Sequence, residues 1–130
     1  MAGIKYPTVD DLIELNRRVL REIRVKKADQ HRVLSRSALD DLMRGVREQE
    51  GDIYYKAVTL LIGLVRTHHF ASGNRRTAYL ATKGFLEMNG ESTTVVHDPR
   101  MLQGIREGFY TRDEIEGWLK GHEIKEFRRT

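Results

Sequence analysis

The chain has 130 residues, 39 % hydrophobic and 32 % charged, a composition that suits one domain over residues 1–130 with enough apolar side chains for a single core. It contains no cysteine, which excludes disulfides, thiolate zinc sites and cysteine nucleophiles and suits a reducing cytoplasm. The formal net charge of +4 admits an acidic partner or a polyanionic ligand, but the basic residues are interspersed with acids and read mainly as solvated helix faces, so nucleic acid is not the expected ligand.

The opening, "MAGIKYPTVDDL", has no apolar run of signal-peptide length, and no later stretch approaches the ~20 apolar residues of a membrane span. A cytoplasmic protein without membrane contact is expected. In "TVDDLIELNRRVLREI", Val9, Leu12, Ile13, Asn16, Val19, Leu20 and Ile23 recur at helical spacing. Thr8 with Asp11 three residues on predicts a capping box for this first helix. The basic segment "RVKKADQHRVL" reads as a loop with a short extended piece near Val33 and Leu34. Ser37 and Asp40 predict a second capping box, ahead of a helix burying Ala38, Leu39, Leu42, Met43 and Val46.

"IYYKAVTLLIGLVRTH" is apolar on nearly every side and belongs at the centre of a bundle. A fourth helix starts near Asn74 and ends at Asn89 and Gly90 in a left-handed cap. "STTVV" reads as a short strand or extended connector. Asp98 and Pro99 predict the N-cap and first position of a fifth helix, and Thr111 with Glu114 caps a last one carrying Ile115, Trp118 and Leu119. The fold class expected is all-α, a bundle of about six helices.

The chemistry concentrates in "THHFASGNRRTAYLATKGFLEMNG", from Thr67 to Gly90. The first N–H groups of a helix have no internal partner, and the helix dipole favours negative charge there. Gly73 permits the turn and a close approach of ligand to backbone, and Asn74 can cap or hydrogen-bond. Arg75 and Arg76 add two guanidinium forks suited to phosphate oxygens. A histidine one loop earlier can serve as general base for a hydroxyl. The competing reading is that His68 and His69 merely cap the helix before them. His31, His97 and His122 lack metal-ligand spacing and read as surface residues, and Trp118 reads as core.

The order His68, Phe70, Gly73, Asn74, Arg76 resembles the signature of the Fic/Doc family, His-x-Phe-x-acid-Gly/Ala-Asn-x-Arg. "RRTAYLATKGFLEMNG" looks like the Doc (death-on-curing) branch. "YPTVDDLIELNRRVL", "LSRSALDDL" and "RDEIEGWLKGH" are similar to that family's opening, second and closing helices. The resemblance implies an ATP-dependent transferase acting on a Ser, Thr or Tyr hydroxyl of a target protein, a translation factor being one candidate. It makes His68 the general base and Phe70 the structural anchor of the loop. Gly73, Asn74 and Arg75 would line the anion hole, and Arg76 would bind nucleotide phosphates. The Doc-like reading implies phosphate transfer, because Arg75 resembles that branch's lysine and Tyr79 stands where the AMP-transferring branch has its second arginine.

One position departs from the pattern. Ser72 stands where the family has the Asp or Glu that holds magnesium, and a neutral hydroxyl is a weak ligand for that ion. The resemblance also implies a separate antitoxin as regulator, since the family's inhibitory Ser/Thr-x-x-x-Glu helix is missing; "EIEGW" has Arg112 at its Ser/Thr place. The alternatives left open are AMP transfer, a catalytically degenerate interaction module and a basic DNA-binding regulator. The protein target and the oligomeric state are not legible.

Overall fold

In the computed structural model, which describes residues 3–22 and 31–128, six helices follow one another in the expected order. They are α1 (Val9–Glu22), α2 (Arg36–Glu48), α3 (Ile53–Arg66), α4 (Asn74–Met88), α5 (Pro99–Arg106) and α6 (Arg112–Leu119). Ile23 and most of the basic loop lie outside the described residues. No strand forms among them, only an isolated antiparallel bridge between Val33 and Phe70. Nor is any described helix long and apolar enough to cross a membrane.

Local chemistry sets most of the helix ends. Thr8 and Asp11 satisfy each other's backbone N–H at 2.8 and 3.0 Å. Asp52 caps α3, Asp98 caps α5 ahead of Pro99, and Thr111 forms a full capping box with Glu114. Each such cap contributes about 1 kcal/mol. The cap of α2 corrects the sequence reading. It is Ser35, whose Oγ accepts from the Ala38 N–H at 3.2 Å, while Ser37 already lies inside the first turn and touches only the Ser35 hydroxyl. Capping needs an oxygen at the last non-helical residue, and the acid at Asp40 drew the prediction two residues too far. At the other end of α4, Gly90 adopts φ +77°, and the Glu91 N–H reaches the Leu86 carbonyl at 3.0 Å. This is the six-to-one bond of a Schellman cap.

α3 packs against α2, α4, α5 and α6, and its buried residues run from Lys56 to Val65. One core takes Leu12 from α1, Met43 from α2, Leu61 from α3, Phe85 from α4, Ile105 from α5 and Trp118 from α6. Among the buried residues of α3, Lys56 is the polar exception, 7 % exposed. Its Nζ donates to the carbonyls of Val46, Arg47 and Gln49, so a positive charge closes the C-terminal end of α2, where carbonyls lack internal partners. At Gly63 a Cβ would lie 2.2 Å from Leu42 Cδ1, so a side chain there would have to displace the Leu42 tip that packs across from α2.

The connector from Glu91 to Asp98 has no regular secondary structure and joins no sheet. Side chains hold it instead. The Tyr54 hydroxyl donates to the Ser92 carbonyl, the Tyr79 hydroxyl to the Val95 carbonyl, and the Thr93 hydroxyl to the Leu119 carbonyl. Near the basic loop, Arg17 and Arg21 pair with Glu14, and Arg36 pairs with Asp10. These are the exposed ion pairs of a solvated face, worth little each.

Candidate functional site

The loop between α3 and α4 is held by three sets of bonds. Phe70 is 1 % exposed, and its neighbours pair with the chain around Val33, Leu34 N–H donating to the His69 carbonyl at 2.8 Å and Ala71 N–H to the Arg32 carbonyl at 3.0 Å. The Asn74 amide then closes the loop on itself, accepting from the Phe70 N–H at 3.1 Å and donating to the Phe70 carbonyl at 2.8 Å. The third set comes from α1. Asn16, fully buried, donates through Nδ2 to the Ser72 carbonyl at 2.9 Å and to Thr77 Oγ1 at 3.1 Å. Its Oδ1 lies 3.0 Å from His31 Nδ1, and an amide oxygen only accepts, so His31 donates. A polar residue on an otherwise apolar stripe thus pins the loop from below.

Gly73 makes the final turn at φ +76°. A Cβ there would be strained by the backbone and would meet Leu20 Cδ2 at 3.2 Å and Asn16 Nδ2 at 3.3 Å. Gly73 is the N-cap of α4 and offers no side chain, so no side chain caps this helix and no acid stands in its first turn. The start of α4 lines a cleft of about 560 Å³. That is within the usual range for a small-ligand pocket. The cleft is walled by Val19 and Leu20 of α1, Val65 of α3, the loop residues His68, Ala71 and Ser72, the α4 start with Arg75 and Arg76, and His97, Pro99 and Arg106. No carboxylate lines it among the described residues.

The two adjacent histidines separate. His69 is 3 % exposed and turns inward, its Nε2 donating to the Gly63 carbonyl at 3.1 Å, so the helix-capping reading holds for this residue. His68 is exposed in the cleft, with Nδ1 3.3 Å from Arg106 Nη2. Of the site residues expected from the sequence, His68, Ser72, Gly73, Asn74, Arg75 and Arg76 all line the one cleft, while Phe70 sits in the core behind it. The Asn74 side chain is spent on Phe70. The Ser72 carbonyl is turned to Asn16.

Two cleft residues were not expected. His97, read as surface, packs its ring edge-on to Tyr79 at 5.6 Å and lines the cleft. Of the other two histidines read as surface, His31 is half-buried and His122 is exposed. Arg106 comes from the last turn of α5, brought to the loop because Arg66 Nε of α3 donates to the Ile105 carbonyl at 3.0 Å. A proline after Asp98 marked where α5 begins, but no spacing in the sequence tells which cleft its far end reaches.

Burial holds the pKa of His31, His69 and His97 below the ordinary 6.5. Arg17 adds to the effect at His31, against Glu14; Arg76 and Arg75 add to it at His97, against Asp98; at His69 the bond to Gly63 opposes it. His69 Nδ1 and His97 Nε2 are buried without partners, which penalises the charged rings. As pH falls below 6.5, the unfolded chain takes up protons that the folded one refuses. Stability should therefore decline from pH 6.5 downward through the lowered values, and hold above it. Thermal melts between about pH 8 and about pH 5 check this, and His69→Gln should make the decline shallower. A native protein with a level Tm across that window contradicts it.

In this all-helical protein a histidine on a pinned loop shares a cleft with a helix start that no side chain caps and that two arginines flank. A family model described as Fic/DOC matches residues 6–86, more than half of the chain, and the protein belongs to the Fic/DOC family. The match takes in α1 to α3, the loop and nearly all of α4; α5 and α6 lie beyond it. No curated protein matches the chain at a significant level.

Proposed function

We propose that this protein transfers the γ-phosphate of ATP to a Ser, Thr or Tyr hydroxyl of another protein. The observation that carries the reading is the open N-terminus of α4, facing His68 across a cleft that holds arginines and no acid. In this reading the phosphate chain lies on the first N–H groups of α4, with Gly73 allowing close approach and Arg75 and Arg76 supplying charge. His68 takes the proton of the acceptor hydroxyl, whose oxygen bonds to the γ-phosphorus. The bond from that phosphorus to the β,γ-bridging oxygen breaks, and ADP leaves. Positioning and charge stabilisation are most of what such a transfer requires.

Two features favour the γ over the α position. Arg75 brings bulk and charge where AMP transfer needs room for the α- and β-phosphates. Tyr79 offers no second arginine, and its hydroxyl is engaged by the Val95 carbonyl at 3.0 Å. The residues present do not fit a protein-held magnesium ion. Ser72 is neutral, no carboxylate lines the cleft, and no cluster of His, Asp or Glu suited to a metal occurs among the described residues. No step is therefore routed through a metal.

The test is incubation with ATP labelled at the α or the γ position, in lysate of the source cells. Protein labelling from γ-labelled ATP alone is expected, weakened in Arg75→Gly. Labelling from the α position would overturn the assignment in favour of AMP transfer. No label from either would favour the interaction-module reading, which the lack of an acid at Ser72 supports.

A further inference from the structure

Arg106 has no part in the motif that resembles the family signature, yet it is the residue that touches His68. Its Nη2 lies 3.3 Å from His68 Nδ1. A guanidinium carries only donors, so the hydrogen bond runs from Arg106 to the ring, and Nδ1 is the unprotonated nitrogen. A neutral imidazole has one lone pair in its plane. With Arg106 on Nδ1, that lone pair is occupied and His68 cannot accept a proton from a hydroxyl.

The same guanidinium lines the cleft with Arg75 and Arg76. Its backbone is fixed, because Ile105 is fully buried and its carbonyl is held by Arg66. The residue is half-exposed, on the cleft lining beside His68. A polyphosphate in the cleft would offer Arg106 charged, bidentate acceptors, which bind a guanidinium more strongly than a neutral ring nitrogen does. We infer that Arg106 is both a third phosphate-binding residue and the cover of the base: in the free protein it holds His68 Nδ1, and a bound phosphate chain draws it away and frees that nitrogen.

The device couples the two halves of the site. His68 becomes competent only when the donor's phosphates are in place, so the base is not exposed to a hydroxyl before there is a phosphate to transfer. It also places a third positive charge at the phosphates where Ser72 leaves no carboxylate to hold a metal. The inference rests on the phosphate-cradle reading of α4 but makes a separate demand, that ligand binding be felt at a ring nitrogen.

The experiment is nitrogen-15 spectroscopy of the histidine rings in the full chain, with His68 assigned by loss of its signals in His68→Ala. Sodium tripolyphosphate is added in EDTA, and its affinity is measured in parallel by calorimetry. In the free protein His68 should be the tautomer with the proton on Nε2 and Nδ1 hydrogen-bonded. Tripolyphosphate should shift the Nδ1 signal toward that of a nitrogen without a donor. In Arg106→Gln the tripolyphosphate affinity should fall roughly tenfold or more, the loss of a charge-assisted bond, and the His68 signals should no longer respond. Arg106→Lys, keeping the charge, should recover part of the affinity. Tripolyphosphate that binds the native protein with no change at His68 overturns the inference and leaves the cradle standing. So does unchanged affinity in Arg106→Gln. Failure of tripolyphosphate to bind at all overturns both.

Discussion

His68→Ala is expected to reduce transfer from γ-labelled ATP by on the order of 10²–10⁴-fold, the usual contribution of a general base. The fold should be untouched. His68 is exposed, makes one hydrogen bond, and contributes nothing to the core, whereas its neighbour His69 is buried and caps α3. Tm should therefore stay within a degree or two of the native value, in keeping with a surface substitution. Nucleotide affinity should not fall either, because the groups assigned to the phosphates are the α4 backbone, Arg75, Arg76 and Arg106, and His68 is not among them. It should rise slightly if Arg106 no longer has the ring as a competing partner. Labelling assays with a thermal melt and a titration of ATP on the same preparation separate these quantities. Near-native transfer by His68→Ala would remove it from the mechanism. Loss of transfer together with a large fall in Tm would mean that the residue acts through the fold.

Much of the frame was legible because it is set by short-range chemistry. Thr8, Asp98 and Thr111 cap the helices they precede, and Gly90 closes α4, since each needs only its own neighbours within four residues. The central place of α3 followed from an apolar surface that only a bundle interior could cover. The motif residues come together because all seven, His68 to Arg76, lie within one loop and one helical turn. What the chain order hid was tertiary. Asn16 shows in the sequence as one more residue on a helical stripe, and its bonds to Ser72 and Thr77 depend on where α1 crosses the loop. His97 and Arg106 reach the cleft through an irregular connector and a short helix whose placement rests on Tyr79, Thr93 and Arg66. None of those contacts leaves a periodicity. The misplaced cap at Ser37 is different in kind, a choice between two serines two residues apart that the pattern alone favoured wrongly.

Phe70→Ala is expected to give the largest loss of stability of any single change at this site. The ring is 1 % exposed within the core, 6.5 Å from the His31 ring, and it hangs from the only described backbone bridge in the protein. Truncating a buried phenylalanine removes its transfer free energy and leaves a cavity, together about 3–5 kcal/mol. Against a total stability of about 5–15 kcal/mol for a domain, that is a large fraction. For a chain of this size, Tm should drop by roughly 10–20 °C. Phe70→Leu, which keeps most of the volume, should recover much of the loss. Function should suffer beyond stability. The Phe70 N–H and carbonyl are both bound by Asn74, and the His69 and Ala71 backbones pair with the chain on either side of Val33. A collapse of the loop into the vacated space moves His68, two residues before, and the start of α4, four residues after. Well below its lowered Tm, Phe70→Ala should therefore transfer less phosphate than its folded fraction predicts, while Phe70→Leu should transfer in proportion to it. Melting curves and rates measured at one low temperature decide the matter. A Tm within about 5 °C of native would show that the ring is not the anchor of the loop. A rate that tracks the folded fraction in both variants would show that the anchor has slack.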